Sequence, residues 1–281
     1  MAFPRTKVED LSLPRMLIGS NWFFGYSHTS KAKDRYIKAT MSTAKIADVI
    51  EVFVNAGVDA HMGQIQTPGQ KEAIVEAEQR TGKKVTIIST PSLNIGDTQA
   101  AKDEARRTIE RDAALGAAIC MPHTSSTDAL VDIRTRKIRN MDLYCKWIRE
   151  AGMIPGLSTH MPEALVFADE SGLDVGTYIQ IYNAAGFLMH LEVDWTHRII
   201  TNAKHPVMTI KPMAAGRLLP LVGFGFVWAT LRDCDMVTVG TMTPDEAKEV
   251  IDISLAILER RPNTVELQTT RSKQTVTKKA K

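Results

Sequence analysis

The chain has 281 residues, with 35 Lys and Arg against 32 Asp and Glu, 44% hydrophobic residues and 24% charged ones. That balance excludes a disordered or collagen-like chain and suits a globular protein with one large core or two modest ones. Three cysteines, Cys120, Cys145 and Cys234, form no CxxC pair and argue against a secreted disulfide scaffold.

In chain order, the opening MAFPRTKVED lacks the apolar stretch of a signal peptide, so the expected location is cytoplasmic. RMLIG at 15–19 reads as a short first strand. Ala44, Ile46, Val49, Ile50, Phe53 and Val54 make one helical face over 42–56, stopped by Gly57. A strand over 58–61 follows, then a charged helix over 68–81 with Gly82 as its stop. KVTIIS at 84–89 is a third strand, and Asp97 is placed to cap a helix running to about Leu115.

The alternation continues with strands over 117–121 and 153–158 flanking a helix over 138–151. Pro162 opens a short helix ending by Gly172. Strands are expected over 177–182, 207–211 and 236–239, with an irregular stretch over 186–203. Residues 218–231 read as an apolar, buried helix too short to span a bilayer. Thr243-Pro244-Asp245-Glu246 is a capping box with proline in the first turn and acids facing the helix dipole.

Eight strand–helix units in this length predict an α/β fold, a single parallel (β/α)8 TIM barrel over 1–262. Residues 263–281 read as a basic, disordered tail: the last eleven residues carry five Lys or Arg and no acid. Residues 1–270 then hold 30 basic against 32 acidic side chains, a net charge of −2. The expected partner is therefore a small-molecule substrate, with neither nucleic acid nor membrane, and a homo-oligomer is left open.

In such a barrel the site lies at the carboxyl ends of the strands. His61, His123 and His160 end the second, fourth and fifth strands, and Lys211 ends the seventh. Three imidazoles on one rim are sterically able to hold a divalent metal with an open position, although no HxH or HExxH pair supports it. Lys211, between apolar flanks, suits an electrostatic partner or an amine of lowered pKa. Asn21, Trp22, Gln180 and Asn183 are candidates for substrate binding. The aromatic run Trp22, Phe23, Phe24 and Tyr26 suits a lid over a flat substrate such as a sugar ring. His28, His190, His197 and His205 read as surface or lid residues.

Several segments carry a family resemblance. MVTVGTMTPDE at 236–246, KPMAAGRL at 211–218 and GLSTH at 156–160, together with Gln180 and His123, resemble the corresponding pieces of the aldo-keto reductase superfamily. The resemblance runs through most of residues 14–260. It implies a carbonyl reductase that uses NADPH, with Ser158, Gln180 and Gly216 holding the nicotinamide nucleotide. The chain departs from that pattern in its chemistry. His61 or Met62 stands at the aspartate place of the family's tetrad, its tyrosine and lysine have no counterpart, and Met242 replaces an arginine that grips the 2′-phosphate.

The expectation is therefore an enzyme of lyase, isomerase or hydrolase type, using acid–base or metal-assisted chemistry on a small sugar-like or hydroxy-carbonyl substrate. His61, His123, His160 and Lys211 are its catalytic set. The alternative is a divergent NAD(P)H-dependent oxidoreductase. A second alternative is a non-catalytic binding barrel.

Overall fold

A computed structural model describes residues 3–266 together with Lys273 and Val276. The rest of the tail expected over 263–281 lies outside the described residues. A hairpin of β1 (Arg5–Val8) and β2 (Leu11–Pro14) leads into the first barrel strand, β3 (Met16–Gly19). There follow α1 (Lys31–Thr40), α2 (Thr43–Asn55), β4 (Ala60–Gly63), α3 (Gln70–Thr81), β5 (Thr86–Ser89), α4 (Gln99–Ala114) and β6 (Ala117–Cys120). A short α5 (Thr124–Leu130) and a two-residue hairpin, β7 (Val131–Asp132) with β8 (Lys137–Ile138), precede α6 (Met141–Glu150). The chain continues through β9 (Ile154–Ser158), α7 (Glu163–Ser171), β10 (Thr177–Ile181), α8 (Val193–Asn202) and β11 (Val207–Ile210). It closes with α9 (Pro220–Thr230), β12 (Met236–Val239) and α10 (Pro244–Leu258).

Strands β3, β4, β5, β6, β9, β10, β11 and β12 close into one parallel barrel, as the alternation predicts. Strand side chains alternate between interior and helix layer. The interior set is Leu17, Ala60, Met62, Ile88, Ile119, Met121, Ile179, Met208 and Met236. Val8 and Leu13 of the β1–β2 hairpin pack into the same cluster, and a Cβ on Gly176, just before β10, would meet Val8 and Glu9. The hairpin therefore closes the amino-terminal end of the barrel. Outward-facing residues pack under the helices, with Ile46, Val49, Ile50 and Phe53 of α2 and Phe224 and Val227 of α9 among them.

Near that closed end, the fully buried carboxylate of Asp235 accepts from the backbone N–H groups of Val207 and Arg232 and from the Arg232 guanidinium. At the other end of the last unit, the capping box forms as expected. Thr243 Oγ1 accepts from Glu246 N–H at 3.1 Å, and the Glu246 carboxylate accepts from Thr243 N–H at 3.3 Å.

Several expectations shift. The second barrel strand runs over Ala60–Gly63 and not 58–61, so His61 lies inside the strand. Thr98, not Asp97, caps α4. Helix α9 buries Gly223, Phe224, Val227 and Trp228, but leaves Leu219, Leu221 and Val222 more than half exposed, so it is buried on one face only. The stretch over 186–203 contains α8. Among the described residues no helix is long and apolar enough to cross a membrane.

Candidate active site

One cavity of about 580 Å³ opens at the carboxyl ends of the strands, within the usual size of small-molecule and cofactor sites. At the barrel mouth it is lined by Met62, Thr90, His123, Ser158, His160 and Lys211, with Asn21, Trp22, Phe24, Tyr26 and His28 as one wall. It passes over Pro212, Met213, Ala215 and Gly216 and then Leu218 to Pro220. Its far end is formed by Val239 to Thr241 and by Glu246, Glu249 and Val250 of α10.

Lys211 reaches this cavity through its backbone. Met208 and Ile210 face the interior side of β11, so strict alternation would send Lys211 outward. It instead takes φ +62°, and Ala214, Ala215 and Gly216 follow at +49°, +55° and +84°. Left-handed backbone costs an L-residue about 1–2 kcal/mol, and such positions concentrate at ligand sites. Burial pushes the Lys211 ammonium down to about 8. Among the described residues the only carboxylates lining the cavity, Glu246 and Glu249, stand at its other end.

One carboxylate ties together the two loops that carry the rim histidines. Asp128 accepts from Thr124 Oγ1 at 2.6 Å, from Thr159 Oγ1 at 2.5 Å and from the backbone N–H of His160 at 3.2 Å, joining the loops after β6 and β9. His123 is the N-cap of α5, and its Nδ1 accepts from Ser125 N–H at 3.2 Å. Burial lowers the His123 pKa, Asp128 opposing and Lys211 adding to the effect. Burial, then Lys211, brings His160 down to about 4. Both rings are neutral at pH 7.

His123, His160, Lys211, Asn21, Trp22, Ser158 and Gly216 all line the cavity, whereas His61, Gln180 and Asn183 do not. His61 has the opposite parity to Ala60 and Met62. It points into the helix layer, fully buried, with its ring stacked on Phe23 at 6.3 Å and both ring nitrogens unpartnered. Met62 therefore takes the interior place at the end of β4. Ile179 faces the interior, so Gln180 points outward, its Nε2 donating to His160 O at 3.4 Å. Asn183 staples its own loop: Oδ1 accepts from the N–H groups of Ala185 and Phe187, and Nδ2 donates to Phe187 O.

Other lining residues escape a reading by sequence pattern. Gln70 opens a charged helix, yet it is only 1% exposed, with both amide atoms unpartnered. Gly63 makes room for it, because a Cβ there would overlap Ser20 Oγ and lie 2.8 Å from Gln70 Nε2. Thr241, 4% exposed, has an unpartnered hydroxyl. His28, expected as a surface or lid residue, is exposed and lines the cavity wall. The one sequence signal for the far end is the capping box, which sets Glu246 just beyond the last strand.

No protein-family model matches this chain, and no curated protein matches it. Solved structures do. A Pseudomonas aeruginosa protein assigned as an aldo-keto reductase is 16% identical with TM-score 0.65, over 91% of this chain and 94% of that one. The glycerol dehydrogenase of Gluconobacter oxydans is 12% identical with TM-score 0.59, over 96% and 100%. The aldose reductase of Giardia lamblia is 11% identical with TM-score 0.57, over 93% and 95%.

These findings correct the expectation of a lyase, isomerase or hydrolase built on three imidazoles. His61 is turned away from the other two rings, so His61, His123 and His160 form no metal site. Among the described residues no three His, Cys, Asp or Glu side chains gather to hold a metal. The structures compared above are two reductases and a dehydrogenase, and none is a lyase, isomerase or hydrolase. At these identities the likeness is one of fold, and the chain is an aldo-keto-reductase-like (β/α)8 barrel.

Proposed function

We propose that the protein is an oxidoreductase that couples a nicotinamide dinucleotide to a small carbonyl or alcohol substrate, with Lys211 carrying the proton. The observation behind this reading is a single cavity that joins a half-buried lysine of lowered pKa and two neutral imidazoles to a long, mostly apolar channel. The residues present fit such a nucleotide. Buried polar atoms without a protein partner line both ends, the Gln70 amide at the mouth and the Thr241 hydroxyl at the far end. Buried polar groups are normally paired, so these are sockets for a ligand with hydrogen-bonding groups at both extremities.

Ser158 and Gly216 line the channel where the nucleotide would be held. Gln180, behind β10, does not reach it. A bound reduced nicotinamide supplies the hydride, and the remaining chemistry falls to the chain. With Nδ1 of His123 accepting from Ser125 N–H, the neutral ring carries its proton on Nε2, a donor suited to a carbonyl oxygen. As charge develops on that oxygen, the Lys211 ammonium delivers the proton and is left as the neutral amine. General acid catalysis of this kind is worth about 10²–10⁴-fold. Trp22, Phe24, Met62, Ile179 and Ile210 keep the walls apolar, which excludes water and strengthens these contacts.

The test is the absorbance of reduced nicotinamide nucleotide mixed with the full chain and a panel of small aldehydes and ketones. Oxidation that depends on both carbonyl and Lys211 supports the reading. Failure of both turnover and nucleotide binding overturns it.

A further inference from the structure

We infer that the far end of the cavity selects the unphosphorylated dinucleotide, NAD(H), over NADP(H), with Glu249 as the discriminating residue. The inference rests on the oxidoreductase reading, which puts the reacting end of the nucleotide at the mouth and so its adenosine at α10. Two carboxylates, Glu246 and Glu249, line that end, and among the described residues no Lys or Arg lines it. Lys248, the nearest cation in sequence, pairs instead with Asp245 at 3.2 Å. Met242, at the place where the family resemblance implies an arginine, carries no charge.

The carboxylates have different duties. Glu246 is committed to the helix start, accepting from Met242 N–H at 2.6 Å and Thr243 N–H at 3.3 Å. Glu249, one turn further along α10, is half-buried on the cavity wall. Between it and β12 lies Thr241, whose hydroxyl is buried without a partner. A carboxylate accepts hydrogen bonds only, and a hydroxyl both donates and accepts. Together they suit the vicinal hydroxyls of a ribose, the role an acidic residue plays toward the 2′-OH in other dinucleotide sites. A 2′-phosphate would add close to two negative charges beside two carboxylates. At contact distances that repulsion acts within the screening length of physiological salt.

The experiment is calorimetric titration of the full chain with NADH, NADPH, AMP and 2′-phospho-AMP, the last two probing the adenosine end alone. NADH is expected to bind at least tenfold more tightly than NADPH, and AMP more tightly than its 2′-phosphorylated form. Glu249→Lys is expected to move the NADH-to-NADPH ratio at least tenfold toward NADPH. Glu249→Gln, which preserves size, is expected to move it part of the way, and circular dichroism of both variants checks folding. NADPH binding as tightly as NADH in the unaltered protein, or a ratio that both folded variants leave unchanged, overturns the selectivity and leaves the oxidoreductase reading standing. Binding of neither nucleotide overturns both.

Discussion

The backbone N–H of Ser125 donates to Nδ1 of His123 at 3.2 Å, and this contact assigns the proton of the neutral imidazole to Nε2. A side chain that supplies a donor at the Nε2 position should preserve part of its role. His123→Gln is expected to retain roughly a tenth of the activity, and His123→Ala to lose about 10²–10³-fold, the usual cost of one electrophilic donor. Steady-state kcat/KM measures this. Equal losses in the two variants would count against the tautomer.

Lys211 gives the reaction a pH limb of known sign. Under the proposed mechanism the ammonium is the acid for carbonyl reduction, and burial lowers its pKa to about 8. Reduction should therefore fall as pH rises through about 8, while alcohol oxidation, which needs the neutral amine, should rise through the same range. Lys211→Arg removes the limb and Lys211→Met removes most turnover, with nucleotide binding retained. A pH profile of kcat in both directions checks each statement.

His61 is buried without a hydrogen-bond partner, and acid adds to its cost. Burial brings its folded pKa to about 4, against 6.5 for the free side chain. Between those values the unfolded chain binds the proton and the folded chain does not, so stability falls as pH drops from about 6.5 to 4. Its ring nitrogens are unpartnered, so His61→Leu should be neutral or stabilising at pH 7 and should flatten that fall. Urea midpoints at pH 7 and pH 5 measure both effects. Nucleotide binding by this variant should equal that of the unaltered protein, because His61 does not line the cavity.

Asp235 ties β11, β12 and the end of α9 together through Arg232 and two backbone donors. Removing one partner of a buried, hydrogen-bonded ion pair leaves the other uncompensated, so Asp235→Ala should cost about 3–5 kcal/mol in urea unfolding. Lys248→Ala, which loses only an exposed pair with Asp245, should cost less than about 1 kcal/mol.

Much of the fold can be read from periodicity, because eight β-branched runs separated by helical faces leave few other closures. The capping box over Thr243 to Glu246 is legible to the residue, since its chemistry is local. The β1–β2 hairpin is not, because its two strands are four residues each and gain their stability from Val8 and Leu13 entering a barrel assembled by distant segments. The site is legible where a side chain follows a strand by simple alternation, as His123 and Ser158 do. β4 runs on to Gly63, so His61 is an inner strand position and not a strand end, and its parity, opposite to Ala60 and Met62, turns it into the helix layer; that alone dissolves a three-imidazole site. Gln70 and Glu249 sit on helices that look solvent-facing in isolation; only the closed barrel shows that their N-terminal ends border the cavity.

The central claim is that a nicotinamide dinucleotide occupies the cavity between Lys211 and Glu249. Calorimetry of NADH with the purified full chain, performed with and without the Lys211→Met substitution, tests it most directly. The account expects one site per chain with a micromolar Kd in both proteins, and carbonyl-dependent NADH oxidation only in the unaltered one. No binding heat with NADH or NADPH at millimolar concentration would contradict it.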